Sequence, residues 1–399
     1  MDFAKVLRAM KAVILAGGKG TRIRPLSQTT PKPMIPIIHK PVMEFLVELL
    51  RQHGFGQIMV SVSYLAKEIE HYFRDGSRFG VEMAYSFEGY HVDGRVIPEG
   101  LGAAGGLKKI QQQYRFFDDT FAVVCGDGIV DVDFTRALTF HRRVGAAATM
   151  LLKEVPREEV GRYGVVRTDA AGRIVEFVEK PDPAAAASTI VNTGIYLFEP
   201  SVLDEIPPGR HVDIAMEFFP RLIERGVPFY GLELPFCWID VGRIADYWRA
   251  TRMLLNGELS FTQLTGRELA PGVWAGINVA VDLAACDVRG PVVIGSSTKI
   301  EPGATVVGPA VIGRNSVIEA GARVESCIIG DYTRISGFAH LSEKIVSGRF
   351  CVDFQGRTLD LMSSGYAFLV DDARERRCWT EDQRALIDFL RAQALPQAG

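Results

Sequence analysis

A glycine-rich loop directly after a short apolar run constrains this chain more than any other feature. The run, residues 12–16, is typical of a buried parallel strand, and Gly17, Gly18 and Gly20 follow it. Because glycine has no Cβ atom, the backbone N–H groups of such a loop can come close to an anion. Basic side chains come next in the chain: Lys19, Arg22, Arg24 and Lys32. We therefore predict that the loop binds a polyphosphate.

The loop matches neither of two common phosphate-binding motifs. Walker A requires G-x-x-x-x-G-K-[ST] and the dinucleotide fingerprint requires G-x-G-x-x-G, and residues 17–22 fit neither. The longer string G-G-x-G-T-R-x-x-P-L at residues 17–26, with P-K-P-M at residues 31–34, resembles the signature of the sugar-1-phosphate nucleotidyltransferases, the NDP-sugar pyrophosphorylases. The resemblance covers roughly residues 10–256. An ordinary tight turn is the alternative interpretation of the glycines.

The chain is long enough for at least two domains, since 399 residues exceed what one hydrophobic core usually serves. Strand-like runs alternate with helical stretches such as residues 41–53, and the runs are residues 58–62, 81–86, 121–125, 146–152, 174–178, 191–198 and 236–241. The alternation predicts an α/β layered domain, and the resemblance implies a Rossmann-like nucleotidyltransferase fold with a mainly parallel mixed sheet. We place this catalytic domain at residues 1–257, a linker at 258–272, a left-handed parallel β-helix at 273–346 and a C-terminal tail with a terminal helix at 347–399.

Two of the expected strands lead to an aspartate. Asp127 follows the run at residues 121–125, and Asp240 lies near the end of the run at residues 236–241. Ligands of open α/β sheets bind at the carboxyl ends of the strands, and Mg²⁺ prefers oxygen ligands with few from the protein. Either aspartate alone would be interpreted as the cap of a turn. Together with the glycine loop they resemble the metal pair of the family, so we expect them to hold Mg²⁺.

The resemblance also implies roles for other residues. Arg22 and Lys32 are expected to contact the triphosphate, and Lys180 is expected to hold the sugar 1-phosphate. The implied sugar-binding residues are Gly164, Glu179 and Asn192. The implied nucleotide-binding residues are Leu15, Ala16, Gly17, Gly18, Gly20, Thr21, Glu88, Gly102 and Gly126. The alternative interpretations are local: an exposed ion pair for Glu179 and Lys180, and a plain core strand around Asn192.

The reaction implied by the resemblance is nucleotidyl transfer. A phosphate oxygen of the sugar 1-phosphate attacks the α-phosphorus of a nucleoside triphosphate, and pyrophosphate leaves. The nucleophile is already an anion, so the reaction needs no general base. The difficulty is to bring two polyanions together, which explains why a cation-rich site is required.

After residue 290 the chain has a repeat of six residues. Single aliphatic side chains recur at Ile294, Ile300, Val306, Ile312, Ile318 and Val324 and, after one five-residue step, at Ile329, Ile335 and Leu341. This period is typical of a left-handed parallel β-helix, in which the aliphatic side chains stack inside the coil. Residues 274–288 are less regular and are expected to begin the coil.

Hexapeptide coils also occur in acyltransferases, which makes a bifunctional enzyme an alternative. Such an enzyme would need a catalytic histidine in the coil, where His340 is the only histidine and falls in the last turn. We therefore favour a structural and oligomerising coil. In the tail, residues 380–383 resemble a capping box before a short amphipathic helix, which we expect to cap the coil or contact another subunit.

Composition excludes several classes of partner. The net charge of −3 gives no reason to expect binding to nucleic acid, and no apolar stretch approaches the roughly 20 residues of a membrane helix. No signal-peptide pattern is present, and the six cysteines have no C-x-x-C spacing. We expect a cytoplasmic homo-oligomer with reduced thiols, formed through the β-helix or the tail, whose partners are a nucleoside triphosphate and a sugar 1-phosphate.

The identity of the two substrates is less constrained. The motifs at residues 31–37, 40–44 and 49–55 most resemble mannose-1-phosphate guanylyltransferases. This resemblance implies GTP and mannose 1-phosphate as substrates and GDP-mannose as product. Ala103 stands where that family usually has a threonine, Cys125 replaces the usual asparagine before Gly-Asp, and residues 89–99 look like an insertion. Another nucleotide and sugar pair, or a catalytically silent regulatory paralogue, therefore remain as alternatives.

Overall fold

The computed structural model describes residues 9–63, 65–93, 95–98, 100–259 and 264–375, together with Ala385 and Phe389. The chain divides into two compact units, Met1–Gly242 and Arg243–Gly399. The first unit therefore ends before the boundary that we expected at residue 257. The capping box at residues 380–383 and most of the expected terminal helix lie outside the described residues.

The first unit alternates strands and helices. Its strands are β1 (Met10–Leu15), β2 (Pro36–Ile37), β3 (Lys40–Pro41), β4 (Phe55–Val62), β5 (Glu82–Phe87), β6 (Gly89–Val92), β7 (Arg95–Pro98), β8 (Phe121–Cys125), β9 (Gly128–Val130), β10 (Ala148–Glu154), β11 (Gly164–Thr168), β12 (Ile174–Glu179), β13 (Ile190–Phe198), β14 (Phe229–Glu233) and β15 (Trp238–Asp240). Its α-helices are α1 (Val42–Gln52), α2 (Ala66–Phe73), α3 (Gly102–Tyr114), α4 (Phe134–Arg143) and α5 (Phe219–Glu224). The expected β1 and all seven of the later expected strands are present, whereas seven further strands were not expected: β2, β3, β6, β7, β9, β11 and β14.

Nine of these strands form one mixed sheet with the order β12-β11-β13-β8-β1-β4-β5, in which β10 pairs with β13 and with β14. The strands β8, β1, β4 and β5 are parallel to one another, and β13 joins β8 in the antiparallel direction. The expected Rossmann-like fold with a mixed sheet is thus confirmed. The segment at residues 236–241 is an exception, because β15 pairs with β9 in a separate two-stranded ladder.

The core explains why β1 is apolar at consecutive positions. Ala12, Val13 and Ile14 are fully buried, and neighbours in this run pack into different clusters, one on each face of the sheet. Helix α1 packs on the first face through side chains such as Leu46, and α3 packs on the second through Leu107. A strand covered on both faces needs a continuous apolar run rather than an alternating one.

The second unit begins with helix α6 (Ile244–Leu255) and continues as a parallel β-helix. Its strands are β16 (Arg267–Ala270), β17 (Val273–Ala275), β18 (Asp287–Arg289), β19 (Val292–Ile294), β20 (Lys299–Ile300), β21 (Thr305–Val307), β22 (Ala310–Ile312), β23 (Val317–Ile318), β24 (Arg323–Glu325), β25 (Ile328–Ile329), β26 (Thr333–Ile335), β27 (His340–Ser342), β28 (Lys344–Ser347), β29 (Phe350–Asp353), β30 (Thr358–Asp360) and β31 (Val370–Asp372). They form three sheets, which are the three faces of the coil.

The register of the coil follows the hexapeptide period. Val292 pairs with Ala310, one full coil later, and Val293 with Val311. After the five-residue step the coil is one residue shorter, since Val311 pairs with Ile328. The repeating aliphatic side chains are buried from Ile294 to Ile335, whereas Leu341 is only half-buried. The predicted repeat therefore forms the interior of the β-helix.

The described part of the tail extends the faces of the coil with antiparallel strands. β29 pairs with β28, β30 pairs with β29, and β31 pairs with β26. His340 lies on β27 and is exposed. None of the helices in the described part of the chain combines the length and the apolar character that a membrane span requires.

Candidate active site

The glycine loop begins where β1 ends. The N–H of Ala16 donates to the carbonyl of Ser61 over 2.9 Å, which ties the loop to the carboxyl end of β4. Gly20 has φ near 60°, a left-handed conformation that glycine adopts without strain, and it precedes a single turn of 3₁₀-helix, Thr21–Ile23. Gly18 is exposed and has no neighbouring atom within 4 Å of a Cβ position. At Gly18 the loop therefore presents open backbone at the sheet edge.

The Gly-Asp turn after β8 lies beside the end of β1, where the glycine loop begins. The N–H of Gly126 donates to the carbonyl of Leu15 over 2.9 Å, which joins this turn to the end of β1. A Cβ atom on Gly126 would lie 3.1 Å from Ile14 and from the Leu15 carbonyl, so the site has little room for a side chain. The close approach of two backbones explains the glycine before Asp127.

Asp127 and Asp240 are brought together by the ladder between β9 and β15. Asp240 is the register partner of Gly128, the residue after Asp127. The N–H of Val241 also donates to the carbonyl of Asp127 over 3.1 Å. The two carboxylates predicted to be a pair therefore do lie together, although a separate ladder rather than the main sheet places the second one.

The ammonium group of Lys32 joins the two carboxylates. Its Nζ atom donates to Asp127 Oδ2 and lies 3.4 Å from Asp240 Oδ1. Lys32 is only 8% exposed, and burial by itself lowers the pKa of an ammonium group. The two aspartates outweigh that effect and raise the pKa of Lys32 above its ordinary value, whereas nearby Arg22 acts in the opposite direction. Lys32 is therefore a permanent cation at this site.

A cleft of about 200 Å³ opens beside these residues. Six of the predicted site residues line it: Arg22, Asp127, Gly164, Glu179, Asn192 and Asp240. They come from the turn that follows the glycine loop, the Gly-Asp turn, the antiparallel part of the main sheet and the separate ladder of β9 and β15. The cleft thus gathers Arg22 with the residues expected to bind metal and sugar, whereas Lys32, Lys180 and the residues expected to bind the nucleotide are not among those that line it.

The side of the cleft expected to bind sugar is formed by β11 and β12. Gly164 is the register partner of Glu179, and a Cβ atom on Gly164 would meet the ring of Phe177 at 2.3 Å and Glu179 Oε2 at 2.9 Å. Glu179 accepts a hydrogen bond from the ammonium of Lys180. The N–H of Lys180 donates to the carbonyl of Tyr163 over 3.0 Å. Lys180 is therefore anchored beside the cleft with its side chain half-exposed.

Asn192 is fixed by its own strand. Its Nδ2 atom donates to Tyr196 Oη over 2.9 Å, and its Oδ1 atom accepts the N–H of Gly194 over 2.9 Å. Gly194 has φ near 75° and a Cβ atom there would lie 2.7 Å from Cys125 Sγ. Burial raises the pKa of the Cys125 thiol, so Cys125 lines the cleft as a neutral group.

Glu88 lies behind the glycine loop, outside the residues that line the cleft. The residue is 7% exposed and accepts a hydrogen bond from Ser61 Oγ. A Cβ atom added to Gly106 would lie 2.8 Å from Oε1 of Glu88, and one added to Gly17 would lie 3.9 Å from it. Burial raises the pKa of Glu88, although hydrogen bonds from Ser61 and the Leu101 backbone oppose the shift.

The segments flanking Glu88 are also defined. Residues 89–99, which looked like an insertion, contain the hairpin of β6 and β7. Gly102 begins α3 with φ near 72°, and a Cβ atom there would lie 2.3 Å from the carbonyl oxygen of Val212. Only glycine fits this close backbone approach.

Three aromatic side chains that line the cleft, Tyr163, Tyr196 and Trp238, were not among the expected site residues. The rings of Tyr163 and Trp238 lie 4.9 Å apart, centroid to centroid, and both line the cleft. Trp238 precedes Asp240 by two residues on β15, and residues two apart on a strand share a face. The alternation of β15 was therefore a signal that could have identified Trp238 from Asp240.

The carboxylate pair fits a divalent cation of the magnesium type. Mg²⁺ is usually held by one or two carboxylates together with water and substrate phosphates. Asp127 and Asp240 supply two carboxylates, and the ammonium of Lys32 already demonstrates that one cation can bond both. No group of three or more histidine, cysteine or acidic side chains that could hold a metal is found in the described ranges. The site therefore suits an ion that takes the rest of its ligands from substrate and solvent.

Comparisons with known proteins agree with the fold and identify the family. The profile of the nucleotidyl transferase family matches residues 11–257, and that of the bacterial transferase hexapeptide repeat matches residues 291–326. A UTP–glucose-1-phosphate uridylyltransferase from Synechocystis is 53% identical over 365 residues, which is 92% of this chain and 94% of that protein. A mannose-1-phosphate guanylyltransferase from Mycobacterium tuberculosis is 31% identical over 81% of this chain and 80% of that protein.

Among solved structures, a putative glucose-1-phosphate thymidylyltransferase from Bacillus anthracis, in complex with sucrose, is similar with a TM-score of 0.53. The two sequences are 25% identical, and the match covers 65% of this chain and 98% of the thymidylyltransferase chain. The chain therefore belongs to the nucleotidyl transferase family, and its homologues are sugar-1-phosphate nucleotidyltransferases.

Proposed function

We propose that this protein transfers a uridylyl group from UTP to glucose 1-phosphate, giving UDP-glucose and pyrophosphate. The choice of substrates is supported by the 53% identity, over almost the full length of both chains, to a UTP–glucose-1-phosphate uridylyltransferase. The observation that carries the reaction type is the convergence of Lys32, Asp127 and Asp240 at a cleft.

The chemistry needs charge neutralisation more than proton transfer. An oxygen of the glucose 1-phosphate forms a bond to the α-phosphorus of UTP while the bond to the bridging oxygen of pyrophosphate breaks. Preorganised cations that face the developing charge are the main source of rate enhancement in such a step. We expect Arg22, which lines the cleft, and Lys32 to contact the triphosphate, and Lys180 to hold the incoming phosphate.

The remaining residues position the substrates. Asp127 and Asp240 would hold Mg²⁺, which supplies positive charge to the phosphates when it is bound. Gly164 lines the cleft next to Glu179, whose carboxylate can accept hydrogen bonds from sugar hydroxyls. The open glycine loop, with the buried carboxylate of Glu88 behind it, is the proposed nucleotide side.

A guanylyltransferase that uses mannose 1-phosphate is the second candidate. The N-terminal motifs favour it, as does the similarity to mannose-1-phosphate guanylyltransferases, one of which is 34% identical over 68% of this chain. Because the identity to the uridylyltransferase is higher and spans more of the chain, we place UTP and glucose 1-phosphate first.

The proposal is tested by incubating the full chain with Mg²⁺, each nucleoside triphosphate in turn and a panel of sugar 1-phosphates. Pyrophosphate release is measured for every pair. We expect the highest kcat/KM for UTP with glucose 1-phosphate. A preference for GTP with mannose 1-phosphate would support the second candidate, and no release from any pair would instead indicate a silent regulatory paralogue.

A further inference from the structure

The ammonium of Lys32 lies at the position that the proposed function gives to a divalent cation. It bonds Asp127 and lies 3.4 Å from Asp240, whose side chains are 28% and 23% exposed. Two carboxylates that share a site repel each other unless a cation lies between them. In this structure the ammonium of Lys32 is a group that supplies this positive charge.

A divalent ion and the Lys32 ammonium cannot both bond the same carboxylate oxygens. If the ion entered while Lys32 stayed, two cations would share a site in which Lys32 is largely buried. If Lys32 left its partners without finding another anion, an unpaired buried charge would remain, which is strongly unfavourable. A bound triphosphate removes this cost because its oxygens give the ammonium a new partner.

We propose that Lys32 is the resident cation of the metal-free site, which holds Asp127 and Asp240 together until a divalent ion replaces it and so releases its ammonium toward the nucleotide phosphates. This inference rests on the proposed function only in taking the carboxylate pair as the ion-binding group. It follows that the wild-type protein binds a divalent ion poorly without nucleotide, and that ion and nucleotide favour each other's binding.

The test is a titration of the full chain with Mn²⁺ in the absence of nucleotide, with free Mn²⁺ measured by electron paramagnetic resonance. Lys32→Met removes the competing charge and keeps an unbranched side chain of similar length. We expect it to bind Mn²⁺ at least about fivefold more tightly than the wild type, the lower end of usual coupling between two sites. Unchanged or weaker Mn²⁺ binding would overturn the inference.

Lys11→Met is a matched control. Lys11 pairs with Asp118 over 2.9 Å, and the exposed fractions of these side chains, 14% and 31%, are close to those of Lys32 and Asp127. Lys11 lies near the start of β1, at the other end of the strand from the glycine loop. Removing its charge should leave Mn²⁺ affinity unchanged. If Lys11→Met and Lys32→Met both bound Mn²⁺ more tightly by the same factor, the cause would be the change in net charge and not the position of Lys32, and the inference would be overturned.

Stability provides an independent measurement. Without metal, Lys32→Met should unfold at a lower temperature than the wild type, and Mn²⁺ should restore more of its stability than it adds to the wild type. Where Lys32→Met does not fold, Lys32→Gln keeps one donor for the carboxylates and should show the same tightening. Failure of the substrate panel would leave these results intact, so the two proposals can fail separately.

Discussion

Replacing Gly164 with alanine tests the proposed sugar site, because the added methyl group has a defined collision. Its Cβ atom would lie 2.3 Å from Cζ of Phe177 and 2.9 Å from Oε2 of Glu179. Ordinary contact begins near 3.4 Å, so the ring must retreat by about 1 Å and the carboxylate by about 0.5 Å. Phe177 packs on Phe219 with ring centroids 5.2 Å apart, and its retreat therefore disturbs the core.

The two displacements have different consequences. Overpacking of this kind costs about 1–3 kcal/mol, which for a unit of this size lowers Tm by roughly 2–12 °C. Moving the Glu179 carboxylate should remove the proposed charged hydrogen bond to the sugar, worth about 1.5–3 kcal/mol. That loss corresponds to an increase of about 10- to 150-fold in KM for glucose 1-phosphate, with KM for UTP little changed.

The assay is pyrophosphate release with each substrate varied in turn, together with thermal unfolding. The double variant Gly164→Ala/Phe177→Ala provides the control, because removal of the ring relieves the packing conflict but not the one with Glu179. We expect the stability costs of the two substitutions to be less than additive, while KM for glucose 1-phosphate stays high. An unchanged KM for the sugar phosphate in a destabilised Gly164→Ala protein would refute the assignment of Glu179 to the sugar.

Asp127→Asn should lower kcat at least about 100-fold, because a charge-stabilising contact is lost, while circular dichroism shows a folded protein; an unchanged rate would remove Asp127 from the site. The pKa of Glu88 is raised by burial, so the folded state binds this proton more tightly than the unfolded state, and the resulting stabilisation disappears as the pH rises through the raised pKa. The free energy of unfolding of Glu88→Gln, relative to that of the wild type, should therefore be higher at neutral pH than at an acidic pH below 4.5, as measured by urea unfolding at both pH values. A difference between variant and wild type that does not change with pH would contradict the raised pKa. In the β-helix, Ile312→Ala should cost about 2–5 kcal/mol in thermal unfolding, because it opens a cavity in the coil. Ile277→Ala, at a position that is 80% exposed, should change stability by less than about 0.5 kcal/mol; equal effects would show that burial in the coil does not decide stability.

Much of the architecture could be predicted because its causes are local. The six-residue period places one aliphatic side chain per strand inside the coil, and even the single five-residue step is visible as a shorter coil between Val311 and Ile328. The apolar run of β1, followed by glycines, likewise indicates a buried strand with an anion-binding loop. In these cases the side-chain period and the backbone freedom of glycine decide the structure, and neither depends on a distant residue.

The contacts within the site could not be read from local pattern. The ladder of β9 and β15 that brings Asp240 close to Asp127 is separate from the main sheet. The periodicity of residues 236–241 does not indicate whether this strand joins the main sheet or a separate ladder. The hydrogen bond from Ser61 to Glu88 was likewise missed. Each depends on which strands become neighbours when the core is packed.

The sequence by itself therefore determined the class of fold and the hexapeptide coil, and it supplied the charged residues that we propose for nucleotidyl transfer. Only the tertiary structure decided that Lys32 bonds partners 95 and 208 residues away. The physical reason is that strand formation follows from backbone and side-chain preferences over a few residues. The pairing of charges so far apart follows from the burial of two sheet faces, which brings the loops at the strand ends to one place.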